Sequence, residues 1–142
     1  MSKLVKEKLN EILTTENVYD ITLDEEVYTE TSKIYRYSFI TKKDIKYTVL
    51  LTVRKNGEAR IDFDTRGLKD DKYDSVIHLI NSGDTIKVLN TLKAIINNHK
   101  DDIDKLIISS TRDRIKFYKK ILDYLNIENY MDGEKRLIGI LN

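Results

Sequence analysis

The chain has no cysteine, no proline and no tryptophan in its 142 residues. Without cysteine it has no disulfide, no thiolate metal ligand and no cysteine nucleophile. Its two histidines, His78 and His99, lie apart and form no metal-binding spacing, so a histidine zinc site is not expected. Charge of one sign is also lacking, with 25 basic against 24 acidic residues and a formal net charge of +1. That balance argues against a general binder of duplex DNA and leaves room only for a local basic patch. No apolar run approaches the length of a membrane span, and Met1–Asn10 is too charged for a signal peptide. A cytoplasmic protein with no membrane partner is therefore expected, in a cell or an infected one. What the chain does have is Lys, Ile, Asn, Asp and Tyr in abundance. With proline absent, that bias suggests an AT-rich coding genome of the kind found in low-GC bacteria and their phages.

A chain of this length supports one domain, residues 1–142, with a single core. Apolar residues make up 40% of it, enough for a globular fold, and charged residues make up 35%, above the usual quarter. Ser2–Leu13 reads as an amphipathic helix with Val5, Leu9, Ile12 and Leu13 on one face. Short strands are expected around Val18–Ile21 and Val27–Thr29, with a turn at Leu23–Glu26 between them. Tyr35, Tyr37 and Phe39 then alternate with polar neighbours, and Thr41–Asp44 makes a turn. Ile45, Tyr47, Val49, Leu51 and Val53 alternate without a break. Asn56-Gly57 is the hairpin signal of a type I′ turn, and Ala59, Ile61 and Phe63 form the return strand. Thr65–Asn81 reads as a linker.

The second half changes period. Asp84 or Ser82 can cap a helix from Thr85 to about Asn98, striped by Val88, Leu89, Leu92, Ile95 and Ile96. Lys105–Ser109 is a short strand with no polar alternation, as expected when both faces are covered. Ser110 or Thr111 caps a last helix that buries Ile115, Tyr118, Ile121, Leu122 and Leu125. Arg136–Leu141 closes the chain as a strand. The order implies an α+β, three-layer fold, a mixed and mostly antiparallel sheet with helices on both faces.

Three features can carry chemistry. Gly83 before a helix lets backbone amides approach a phosphate, with Asp84 and Thr85 beside it, although Gly-Asp also begins many helices for capping alone. Arg112, Arg114 and Lys116 open the last helix just after Ser109 and Ser110. They read either as a solvated charged face or as a site for phosphate or carboxylate. Tyr118 falls among the core positions of its helix, which gives it a packing role, with general acid as the alternative. Carboxylates at Asp62, Asp64, Asp101, Asp102 and Asp104 read as outer-face and turn residues rather than a metal site.

The residues Asn81–Thr91, Leu106–Ser109 and Arg114–Tyr118 resemble a family of small phage proteins. That family is marked by a Gly-Asp-led helix and an Arg-x-Lys-aromatic-Tyr helix, and it has no assigned general activity. Arg114-Ile115-Lys116-Phe117-Tyr118 with Lys119-Lys120-Ile121 is also similar to the last helix of GNAT-type acyltransferases. The order of elements is similar to theirs as well. This second resemblance implies acetyl-CoA as cofactor, Gly83–Thr85 facing its pyrophosphate, and Tyr118 as the acid for its thiolate. Only Gly83 remains of that family's glycine pattern, Asp84 follows it, and no general base stands on the strands. The sequence reading therefore favours a phage-type accessory protein that binds a host or virion partner, without a cofactor. A GNAT-like N-acyltransferase is the alternative, and a binder of nucleotide or nucleic-acid phosphate the third reading.

Overall fold

The first half is built by side-chain alternation. In the computed structural model, which describes residues 17–67 and 84–141, four strands run consecutively. These are β1 (Thr22–Tyr28), β2 (Ser32–Ile40), β3 (Ile45–Arg54) and β4 (Glu58–Gly67). Each is antiparallel to the next. Successive side chains of a strand point to opposite faces, so one row of every strand is apolar and one polar. Tyr35, Tyr37 and Phe39 on β2, Tyr47, Val49 and Leu51 on β3, and Ala59 and Ile61 on β4 are buried on the same face. The expected helix Ser2–Leu13, Gly83 and most of the expected linker lie outside the described residues.

Three local expectations are corrected. Val18–Ile21 forms no strand, and β1 begins only at Thr22. Leu23–Glu26 is not a turn, because β1 runs straight through it and absorbs the irregularity as a register shift between Leu23 and Glu25. Its whole length is exposed, and an edge strand of this kind tolerates acidic residues on both faces. Asn56-Gly57 does form the hairpin, but not as a type I′ turn. Only Gly57 has positive φ (87°), and the Gly57 N–H donates to the Arg54 carbonyl at 3.1 Å. Lys55-Asn56-Gly57 is thus a three-residue connection with glycine in the left-handed position. The Asn56 side-chain oxygen accepts from the Glu58 N–H at 3.0 Å and steadies the turn. The Thr41–Asp44 turn forms as read, with Asp44 at φ 58° and its N–H donating to the Thr41 carbonyl.

The second half comprises α1 (Thr85–Asn97), a 3₁₀ turn (Lys100–Asp102), β5 (Lys105–Ser109), α2 (Arg112–Tyr124), β6 (Glu128–Met131) and β7 (Arg136–Ile140). β6 was not legible: its four residues Glu-Asn-Tyr-Met carry no alternation of the apolar kind. It forms because β7 supplies a partner through Glu128↔Ile140 to Met131↔Leu137. Lys119 of α2 holds it in place, donating to the Asn129 side-chain oxygen at 2.8 Å.

Together the strands make one seven-stranded sheet in the order β1-β2-β3-β4-β5-β7-β6. Only β4 and β5 are adjacent and parallel. The fold is α+β with a mostly antiparallel sheet, as the sequence order implied. The buried residues of both helices join a single apolar cluster with Tyr37, Leu51, Ile61 and Leu137 from one face of the sheet. Among the described residues, the helices therefore cover one face.

Gly57 also ties the hairpin to the second half. Its carbonyl accepts from the N–H groups of Asp104 (2.7 Å) and Lys105 (3.2 Å), at the start of β5. A Cβ here would overlap the Asp104 carboxylate and lie 3.3 Å from the Asp104 Cβ. Gly57→Ala is expected to cost about 1–3 kcal/mol, from the left-handed backbone and the contact together. Urea unfolding measures it. Adding Asp104→Ala should recover part of the loss, and no recovery would show that the contact contributes nothing.

Candidate functional site

The most informative geometry lies between β4 and β5. They pair through Glu58↔Lys105, Ala59↔Leu106 and Arg60↔Ile107, and no further. Among the described residues, β4 continues to Gly67 with only β3 beside it, while Ile108 and Ser109 of β5 pair only with β7. Two parallel strands thus separate toward their C-terminal ends. In sheets with parallel strands, that is where ligands enter. α2 follows directly from β5. α1 begins at the same end of the sheet, beside the β2–β3 turn, where the Tyr19 hydroxyl joins Asp84 and the Lys42 N–H. Phe63 of β4 and Tyr118 of α2 stack across the opening, ring centroids 5.8 Å apart. Side-chain packing thus replaces backbone pairing at the point of separation.

Asp84 occupies the N-cap position of α1, but its side chain does not cap. It is buried and accepts a hydrogen bond from the Tyr19 hydroxyl. That hydroxyl in turn accepts from the Lys42 N–H at 3.3 Å, and Lys87 Nζ lies 4.4 Å from the Tyr19 ring centre. Burial, and then the Asp84 hydrogen bond, push the Tyr19 phenol above its ordinary pKa. A carboxylate near the positive end of a helix is electrostatically matched. Thr85, the next residue, is half-buried. Tyr19 was missed in the sequence because nothing local links it to residue 84.

At α2, Thr111 is the cap, its hydroxyl accepting from the Arg114 N–H at 3.4 Å. Arg112 is ion-paired with Glu134 in the β6–β7 turn, both exposed. Arg114 and Lys116 project from the exposed side of the helix, while Tyr118 is buried as its spacing required. Ser110 is held through its N–H, which donates to the Lys135 carbonyl at 3.0 Å. Ser109 goes elsewhere. It lines a cavity of about 320 Å³ with Arg54, Arg60 and Arg136, and Arg112, Arg114 and Lys116 are absent from that lining. The expected group of Ser109 with the α2 cations is thus split between two surroundings.

A second cluster centres on His99, just after α1. It is buried, its Nε2 lies 2.5 Å from the Tyr37 hydroxyl, and its ring is 4.3 Å from that of Tyr35. Tyr35 and His99 form a wall of another cavity, of about 300 Å³. No group of His, Cys, Asp and Glu suited to a metal ion occurs among the described residues. None of their helices is long and apolar enough to cross a membrane. The arginines escaped sequence reading because they come from separate strands whose adjacency only the sheet order creates, and His99 because it meets Tyr35 and Tyr37 only when α1 packs on the sheet. Comparison of the chain with protein-family models, with curated proteins and with solved structures yields no match.

Proposed function

We propose that this chain is a GNAT-like protein that binds an acyl-coenzyme A in the opening between β4 and β5, with N-acyl transfer as its reaction. The observation that carries this reading is the separation of β4 and β5 beyond Arg60 and Ile107 among the described residues, with the N-terminus of α2 just after β5 and that of α1 at the same end of the sheet. The strand order and the Arg114–Ile121 similarity support it as well. The residues fit a phosphate-bearing ligand in one specific respect. The Asp84 carboxylate, which would repel a phosphate, is buried and engaged by the Tyr19 hydroxyl. The backbone N–H groups of the first turn of α1 would hold the pyrophosphate, since such amides have no intrahelical acceptor. Coenzyme A, when bound, supplies the activated acyl group. Tyr118, beside Phe63 at the opening, is the residue positioned to hold a proton for the leaving thiolate.

Thermal shift with acetyl-CoA and with coenzyme A tests the binding. At ligand concentrations about 100 times Kd, stabilisation of roughly 2–3 kcal/mol is expected. Tyr118→Phe should keep that shift and lose transfer activity. No shift at millimolar ligand sinks the proposal.

The second reading is the accessory role, binding a host or virion protein. It is favoured by β1, an edge strand exposed along its whole length that presents Leu23, Val27 and Tyr28 to solvent. Such an edge can accept an added strand from a partner.

A further inference from the structure

The cavity beside His99 and the cavity beside Ser109 share one residue. Arg54, the last residue of β3, lines the cavity of about 300 Å³ next to Tyr35 and His99 and also the cavity of about 320 Å³ next to Arg60 and Arg136. They meet around the end of β3, one toward the helix-covered face of the sheet and one toward the other. Lys33 and Lys55 add to the first cavity. Across both, five cations stand against two acids, Asp102 and Glu58. A chain whose overall charge is only +1 has thus concentrated positive charge here. Arg136 is ion-paired with Asp132 at 3.7 Å, whereas Arg54 and Arg60 form no ion pair among the described residues.

The chemistry of the two cavities differs. The first has aromatic walls: Tyr28 is 62% exposed, with Lys33 Nζ 5.7 Å from its ring centre, and Tyr35 stands behind it. An exposed tyrosine beside lysines offers a flat apolar surface to a nucleobase. The second is lined by three guanidinium groups. Arg60 pairs with Ile107 and Arg136 with Ser109, so Arg60 and Arg136 stand two strands and two residues apart, roughly 12 Å between their backbones. Guanidinium forks match phosphate oxygens in two-point contacts. Alternating phosphates and bases are what single-stranded nucleic acid presents.

We propose that this tract binds single-stranded nucleic acid, with backbone phosphates on Arg54 and Arg60 and a base stacked on Tyr28. The second cavity adjoins the β4–β5 opening through Ile107 and Ser109, but the tract uses Arg54, Arg60 and Tyr28 rather than the first turn of α1 or Tyr118, so the proposal does not rest on acyl-coenzyme A binding.

The test is fluorescence anisotropy of a labelled oligothymidylate of about 12 nucleotides, titrated with the full chain over a range of salt. Binding should weaken with salt, the slope of log K against log salt reflecting the phosphates contacted. Arg54→Ala with Arg60→Ala should weaken binding at least tenfold and flatten that slope by about 1–2. Tyr28→Ala should weaken it about tenfold and leave the slope unchanged, because stacking releases no counterions. Arg112→Ala, outside the tract, should have no effect. Saturating coenzyme A should not displace the oligonucleotide, and full displacement would overturn the assignment of the oligonucleotide to Arg54, Arg60 and Tyr28. The proposal fails if the native chain shows no salt-dependent binding at micromolar to millimolar protein. It fails equally if the double arginine variant binds as the native chain does, or if AMP competes as well as the oligonucleotide.

Discussion

Phe39→Ala is expected to lower the stability of the fold by about 3–5 kcal/mol. Phe39 is the middle ring of a three-ring stack. Tyr47 of β3 lies 4.9 Å from it and nearly parallel at 5°, and Tyr19 lies 6.0 Å away on the other side. The ring is only 2% exposed, so its removal leaves a cavity that solvent does not fill. Each aromatic pair adds about 0.5–1.5 kcal/mol beyond area burial, and the substitution breaks two of them. Net stabilities are commonly about 5–15 kcal/mol, so the variant should lie near its folding threshold. Urea unfolding gives the value. Phe39→Leu, which keeps most of the volume, should lose clearly less. Equal losses for the two would mean that the stack contributes nothing beyond volume.

Alkaline pH should destabilise the protein steeply above about pH 10, through buried tyrosines. Burial pushes the Tyr37 phenol from an ordinary 10 up to about 12, and it raises Tyr47, Tyr35 and Tyr19 as well. In the unfolded chain these phenols lose their protons near pH 10, while the folded chain retains them. Above pH 10 the unfolded state therefore binds fewer protons, and stability falls as pH rises through the folded pKa. Below pH 10 the contribution is complete and flat. For Tyr37 alone the shift corresponds to roughly 2–3 kcal/mol, lost between about pH 10 and 12. The check is the urea midpoint at several pH values, for the native chain and for Tyr37→Phe. The variant should lose less between pH 10 and 12. It also starts lower, because the Tyr37 hydroxyl no longer reaches His99 Nε2. A midpoint that does not move above pH 10 would contradict the burial of these phenols.

The sequence carried the apolar rows of β2, β3 and β4 in full, because a half-buried sheet forces a period of two that no other structure shares. The stripes of α1 and α2 were legible for the same reason at their own period, down to Ile115, Tyr118, Ile121 and Leu122 as the buried residues of α2. Thr111 as one of two candidate caps, with Ser110, and Gly57 as the hairpin glycine followed from backbone chemistry that acts within a few residues. Where the signal was weaker, so was the reading. Most of β1 reads as a turn because its acidic stretch has no apolar row, and β6 gives no signal because it depends on β7.

The candidate sites divide in the same way. Gly83, Asp84 and Thr85, and the cations of α2, could be singled out as neighbours in the chain. Their surroundings could not: Asp84 meets Tyr19, 65 residues away, and Arg112 meets Glu134, 22 residues away. The sequence by itself determined the helical and strand periods, the core residues and the absence of cysteine chemistry, because each depends on local pattern or composition. Only the tertiary structure decided that β4 and β5 part beyond Arg60, that Phe63 meets Tyr118, and that Arg54, Arg60 and Arg136 converge on one cavity. Those facts depend on which strands lie side by side, and strand adjacency is set by the packing of the whole sheet.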